Sequence, residues 1–206
     1  MNMQKRLYGN QPTLMGRGVI GTTRLNVFDA IQATDWGSLF DAGYALDVSS
    51  SNANDAAAGT GARKITVFGL DFAGNPLSEV INLNGQTKVT GAALFWRVFA
   101  AQVTDAGSGR VNAGDIYIYK TGTGGTITAG VPGTLTGMAV KILVGENLGN
   151  SGVWTAPRGT VYILDQLNVC CRAQAGRLEA VHGASRASTV IYPYTALSLD
   201  MGIGGP

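Results

Sequence analysis

The chain has 206 residues, of which 45% are hydrophobic and only 14% are charged, and its formal net charge is +2. Because this charge is small and scattered, we expect no nucleic-acid partner, and because no apolar run reaches roughly 18 residues, we expect no membrane span. The 30 glycines argue against long helices and favour a turn-rich β protein. Cys170 and Cys171 are adjacent, so a bond between them would be strained, and we expect reduced thiols and synthesis in the cytoplasm.

Residues 1–24 are irregular and predict an extended N-terminal arm that becomes ordered on a partner, although a loose terminus explains them equally well. The arm carries the main basic cluster of the chain, Lys5 and Arg6, which is a candidate contact for an acidic partner surface. No apolar stretch follows these two residues, so the sequence predicts no signal peptide.

The next two segments have weaker patterns. Residues 25–48 predict short strands with one short helix. The polar, small-residue stretch 49–62 predicts a loop with one helical turn, which Asn54 or Asp55 would cap.

Clear strand signals begin at residue 63, where β-forming residues alternate between apolar and polar. Asn84-Gly85 predicts a two-residue type I′ hairpin turn, because both central residues of that turn need positive φ. On the strand predicted at 115–120, Tyr117 and Tyr119 share one face. The strands predicted in this half are 64–70, 78–83, 86–90, 95–103 and 115–120.

The glycine-rich segment 121–133 predicts either a long hairpin loop or a hinge between two β lobes. Further strands are predicted at 138–144, 153–155, 160–169, 178–182 and 188–194. The longest of them has a core-facing side formed by Val161, Ile163, Leu167 and Val169. About ten short strands with frequent turns predict an all-β fold, an antiparallel, jelly-roll-like β-sandwich over residues 25–206 behind the arm.

The residues that enzymes and metal sites need are few. The single histidine, His182, has no Gly-x-Ser-x-Gly nucleophile motif to act with, and its spacing from Cys170 and Cys171 is not that of a zinc site. The glycines at 122–125 lack the Lys-Ser/Thr of a phosphate-binding loop. We therefore predict no enzyme, no catalytic residue, no cofactor and no metal. A hidden pair of glycosidase carboxylates stays open, because sequence distance does not give spatial distance.

Aromatic residues on predicted strands serve most often in a core or in a subunit interface. The candidate interface anchors are Trp96, Arg97, Tyr117 and Tyr119, because aromatic and arginine side chains dominate interface energetics. Stacking on nucleic-acid bases or on sugar rings is the alternative use of such side chains.

Several turn-rich segments resemble a known family. They are VSSSNANDAAAGTGAR at 48–63, ITVFGLD at 65–71, VINLNGQT at 80–87, RV at 97–98, AGSG at 106–109, NAGDI at 112–116 and TAPRGT at 155–160. Together these segments resemble virion structural proteins of tailed bacteriophages, over residues 48–170. The resemblance implies a capsid-associated or tail-associated β module, and that family has no catalytic residues to carry over.

The function expected from this resemblance is that of a capsid decoration or cement subunit. Its partners would be the major capsid protein or other virion proteins, and it would form a homo-oligomer in a virion assembled in the host cytoplasm. A head–tail adaptor or a tail or fibre-base component is the alternative within the particle. An alternative from another class is a carbohydrate-binding β-sandwich that uses Trp36, Trp96 or Trp154.

Overall fold

The computed structural model describes residues 42–151, 155, 157–159, 176–182 and 195–201. These residues form β-strands and turns without a helix, and eight of the strands build two four-stranded antiparallel sheets. The predicted all-β antiparallel sandwich is confirmed, and eight is also the number of strands in a jelly roll. Within the described ranges, no helix is long and apolar enough to cross a membrane.

The strands are β1 (Leu46–Ser50), β2 (Ala62–Leu70), β3 (Pro76–Asn82), β4 (Val89–Thr90), β5 (Arg97–Ala106), β6 (Ile116–Lys120), β7 (Ile127–Thr128), β8 (Val131–Pro132), β9 (Met138–Ile142), β10 (Leu148–Asn150), β11 (Gly176–His182) and β12 (Thr195–Met201). The first sheet has the order β4-β1-β6-β9, and the second has the order β10-β5-β2-β3. The pairs β7–β8 and β11–β12 form separate two-stranded hairpins.

The core lies between the two sheets. Because successive side chains of a strand point to opposite faces, every second residue faces inward. Fully buried apolar side chains from both sheets fill this layer: Leu46, Val48, Ile65, Val67, Ile116, Ile118, Val140 and Ile142. Burying a side chain of this size stabilises the fold by roughly 1.5–3 kcal/mol, so this layer holds the two sheets together.

The chain crosses between the sheets at most of its connections. Only β2–β3 and β6–β9 are successive sandwich strands that pair with each other. The predicted hairpin at Asn84-Gly85 is therefore wrong, because β3 pairs with β2 whereas β4 pairs with β1 in the other sheet. Only Gly85 of this pair has positive φ, and its N–H donates to the carbonyl oxygen of Asp55 at 2.7 Å.

A type I′ turn occurs instead at Ala129-Gly130, between β7 and β8. The φ angles of these two residues are 48° and 79°, and Thr128 pairs with Val131 on either side. An alanine in this region of φ is strained by roughly 1–2 kcal/mol.

We expect Ala129→Asn to stabilise the protein by roughly 0.5–1 kcal/mol, because asparagine tolerates positive φ and Asn-Gly is the preferred type I′ pair. Urea denaturation measures the change in the free energy of unfolding. Ala129→Val is the matched control and should destabilise, because a β-branched residue tolerates this φ least. Equal stability of the two variants would contradict the turn assignment.

The segment 121–137 is a long loop within the sandwich. It joins β6 to β9, which are neighbours in the first sheet, and the next strand, β10, belongs to the second sheet. Up to residue 151, strands from both sides of this segment therefore share both sheets, and it does not act there as a hinge between lobes.

The strands predicted at 64–70, 78–83, 95–103, 115–120, 138–144 and 178–182 are confirmed as β2, β3, β5, β6, β9 and β11. Two strands were missed: β1, in the segment expected to hold short strands and a helix, and β12, where none was predicted. The arm at 1–24 and the strands predicted at 160–169 and 188–194 lie outside the described residues, as do Val161, Ile163, Leu167 and Val169.

Candidate interaction surface

Two of the predicted interface anchors, Trp96 and Arg97, lie together and are buried within the chain. The Arg97 guanidinium stacks on the Trp96 indole, with 3.5 Å from Cζ to the ring centroid, and its Nη1 donates to the Trp96 carbonyl oxygen at 2.9 Å. Phe72 contacts the same indole edge-on at a centroid distance of 6.4 Å. Since Trp96 is only 4% exposed, its ring offers almost no surface to a partner or to a sugar.

The other two anchors, Tyr117 and Tyr119, lie on β6 in the first sheet and do not meet the Trp96–Arg97 pair. They share the outer face of that sheet, as predicted, and both are buried. Burial raises the pKa of both phenols above their usual value. The last two candidates, Lys5 and Arg6, lie outside the described residues.

The outer face of the first sheet is covered by the chain itself. The covering segment is residues 121–137, which we call the covering loop. A Cβ on Gly124 would lie only 2.5 Å from the Tyr119 ring, and one on Gly130 would overlap the carbonyl oxygen of Ser50. Such close approach explains why Tyr119 is buried although it points away from the core, and it leaves this face closed to partners.

Asp47 attaches the covering loop to the first sheet. Its buried carboxylate accepts hydrogen bonds from Thr121 Oγ1 at 3.2 Å and from Gly122 N at 3.3 Å. It also accepts from Thr90 Oγ1 at 2.6 Å and forms an ion pair with Lys88 Nζ at 2.9 Å. Burial raises the pKa of this carboxyl, but the hydrogen bonds and the charge of Lys88 outweigh it, so the pKa lies below its usual value.

This lowered pKa predicts how stability depends on pH. A carboxyl whose pKa is lower in the folded state than in the unfolded state stabilises the fold above its unfolded pKa, about 3.9, and loses that contribution as the pH falls through the folded pKa. We therefore expect the stability gap between the wild type and Asp47→Asn to be full at neutral pH and to shrink below about pH 4. Denaturation curves from pH 7 to pH 2 measure the gap, and a gap independent of pH would contradict the assignment.

A second buried carboxylate, that of Asp55, ties together segments that are distant in sequence. Four groups donate to it: Ala62 N at 2.7 Å and Ala113 N at 2.8 Å bind Oδ1, and Ser50 Oγ at 2.6 Å and Gly114 N at 2.9 Å bind Oδ2. The helical turn expected at Asn54 or Asp55 is absent from this described segment. Distant N–H groups bind the carboxylate instead, so Asp55 fixes loops at one end of the sandwich.

The outer face of the second sheet, in contrast, is open. One row crosses all four strands, because Val80 is paired with Thr66, Thr66 with Gln102, and Gln102 with Leu148. Val80 is 60% exposed and Leu148 41%, and Phe68, next along β2 on the same face, is 40% exposed. We call this outer side of β10, β5, β2 and β3 the open face.

The open face is electrically neutral. Its exposed charged side chains are Lys64 and Asp105, at one end of the sheet, with 3.9 Å between Nζ and Oδ2. Near them the hydroxyls of Thr66 and Thr104 are hydrogen-bonded at 3.2 Å. A flat surface with exposed apolar side chains and balanced charge is suited to contact with another protein surface.

Comparison of the chain with protein-family models, with curated proteins and with solved structures finds no match. The function must therefore be argued from the surface itself.

The described residues hold no group of three or more histidine, cysteine, aspartate or glutamate side chains placed to bind a metal. Of the glutamates considered for a hidden carboxylate pair, Glu79 accepts a hydrogen bond from Ala92 N at 2.6 Å through Oε1. Cys170, Cys171, Trp36 and Trp154 lie outside the described residues.

Sequence reasoning missed the open face, although the signal was present. Phe68 follows Lys64 and Thr66 at the alternate, outward positions of β2, and Val80 stands between the outward Ser78 and Asn82 on β3. A large apolar residue among polar outward positions is the pattern that points to a contact surface.

Proposed function

We propose that the chain is a non-enzymatic structural protein of a bacteriophage virion, a capsid decoration or cement subunit that stabilises the head through subunit contacts. The observation that carries the proposal is the contrast between the two sheets. The chain covers the outer face of one sheet with its own loop and leaves apolar side chains exposed on the other.

The physical basis of this function is buried surface. Apolar area that leaves water contributes roughly 25 cal/mol per Å², so covering Phe68, Val80 and Leu148 favours association. One such contact is weak, but many copies on one particle act together, so avidity makes the shell stable. The partners are the major capsid protein, other virion proteins and further copies of the chain, and assembly takes place in the host cytoplasm.

The placement in a phage rests on the resemblance of the turn-rich segments, and their positions support it. The segments 48–63, 80–87 and 112–116 meet at Asp55: the first supplies Ser50 and Ala62, the second supplies the Gly85 N–H that binds the Asp55 carbonyl oxygen, and the third supplies Ala113 and Gly114. Residues that resemble one family and that also form one hydrogen-bonded cluster are a constraint set by the fold.

Quantitative mass spectrometry of purified particles tests the proposal. We expect the chain at hundreds of copies per particle, in a fixed ratio to the major capsid protein, as a decoration subunit requires. About twelve copies or fewer would replace this position with the head–tail adaptor or tail alternative. Absence of the chain from particles would overturn the proposal.

A further inference from the structure

We propose that the open face is a homotypic interface, which packs against the same face of a second copy about a two-fold axis. The axis runs along the row Val80, Thr66, Gln102 and Leu148, perpendicular to the strands. This inference deepens the proposed function and rests on it for its place in the particle, whereas the contact itself belongs to the isolated protein.

The charge of the open face favours a second copy over other occupants. Lys64 and Asp105 cancel each other and leave no net field to attract nucleic acid, an acidic peptide or an anionic membrane surface. Two copies of a neutral face meet without electrostatic repulsion. The apolar side chains on it, Phe68, Val80 and Leu148, are those that a partner of equal character covers best.

The geometry of the row makes the face self-complementary. In an isologous contact, a residue on the two-fold axis meets its own counterpart. With the axis along the row, Val80 meets Val80 of the second copy, and Leu148 meets Leu148. Gln102 meets a second Gln102, and a primary amide is its own partner because it both donates and accepts.

The residues beside the row are also matched. On β2, Lys64 and Phe68 each stand two residues from Thr66, on opposite sides of the axis. The rotation therefore brings Lys64 of one copy over Phe68 of the other, twice in the pair. An ammonium group over an aromatic ring is attractive by roughly 0.5–1 kcal/mol at an exposed site.

The size of the face sets the strength of the contact. Four strands spaced about 4.8 Å apart and about five residues at roughly 3.4 Å each span roughly 19 by 17 Å. Stable specific interfaces bury about 800 Å² on each partner, which is more than this face provides. Free subunits should therefore pair weakly and reversibly, and subunits held close together on a particle should pair fully.

Sedimentation equilibrium of the purified full chain over a wide range of concentrations tests the inference. We expect a reversible monomer–dimer equilibrium. Val80→Glu should weaken it at least tenfold, because the axis places two carboxylates against each other. Leu94→Glu is the matched control, since Leu94 is also 60% exposed but lies off the open face, and it should leave the equilibrium unchanged. Circular dichroism verifies that both variants are folded.

A second experiment does not depend on how a glutamate is tolerated. In Gln102→Cys, a short bismaleimide should link position 102 to position 102 of the second copy, identified by mass spectrometry, whereas Ser108→Cys in the exposed 107–110 turn should give no such link. A chain that stays monomeric at all concentrations, or equal weakening by Val80→Glu and Leu94→Glu, would overturn the inference. Particles are absent from both tests, so a monomeric result leaves the proposed function standing, and absence from particles leaves the dimer standing.

Discussion

Asp55→Ala is expected to lower the free energy of unfolding by about 4 kcal/mol, the largest effect of any single change considered. The substitution removes an acceptor that binds four donors and leaves the N–H groups of Ala62, Ala113 and Gly114 without their bonds. Each buried N–H group left without a partner costs about 1–3 kcal/mol, with partial relief where water enters. Natural domains have only about 5–15 kcal/mol of stability, so this variant should be close to unfolding at room temperature.

Chemical denaturation followed by tryptophan fluorescence measures this loss. Asp55→Asn keeps the size of the side chain but turns an NH₂ group toward backbone donors, so it should also destabilise strongly. Asp105→Asn is the control, because it removes an exposed carboxylate from a long surface ion pair, and it should cost less than about 1 kcal/mol. Similar stabilities of Asp55→Ala and Asp105→Asn would show that Asp55 does not hold the loops together.

Gly130→Ala is expected to destabilise the protein by about 3 kcal/mol and to detach the tip of the covering loop from β1. A Cβ at this position overlaps the backbone oxygen of Ser50, which cannot move without distorting the strand. The residue also has φ of 79°, so an alanine here is strained in addition. Hydrogen exchange of residues 121–137, together with denaturation, reports both effects.

Gly122→Ala separates strain from overlap. Gly122 lies in the same loop with φ of 83°, but a Cβ there has no atom within 4 Å. Its substitution should cost only about 1 kcal/mol and should leave hydrogen exchange at 124–130 slow. If both variants lose the same stability, the close packing of the covering loop on β1 is not what holds it in place.

Strands with simple alternation were predictable from the sequence, but their partners were not. On β2, Lys64 and Thr66 alternate with the buried Ile65 and Val67, which fixes a strand and its inward side. At Asn84-Gly85, the local preference for a hairpin lost to the tertiary bond between Gly85 N and the Asp55 carbonyl oxygen. Sequence neighbours therefore occupy different sheets, which local patterns do not report.

The missing strand β1 has a similar cause. All five of its residues are buried, because Asp47 and Ser49 point outward yet lie beneath the covering loop. Polar residues in buried positions resemble a loop when only the sequence is known. The anchors at Tyr117 and Tyr119 were misjudged for the same reason, since the covering loop buries them within one subunit.

The most direct test of the central claim is hydroxyl-radical labelling of the free subunit and of the purified particle, with modified side chains located by mass spectrometry. If the chain works by burying the open face in an assembly, labelling of Phe68, Val80 and Leu148 should fall several-fold in the particle, while the buried Ile65 stays unlabelled in both. Equal labelling of those three side chains in the subunit and in the particle would contradict the account.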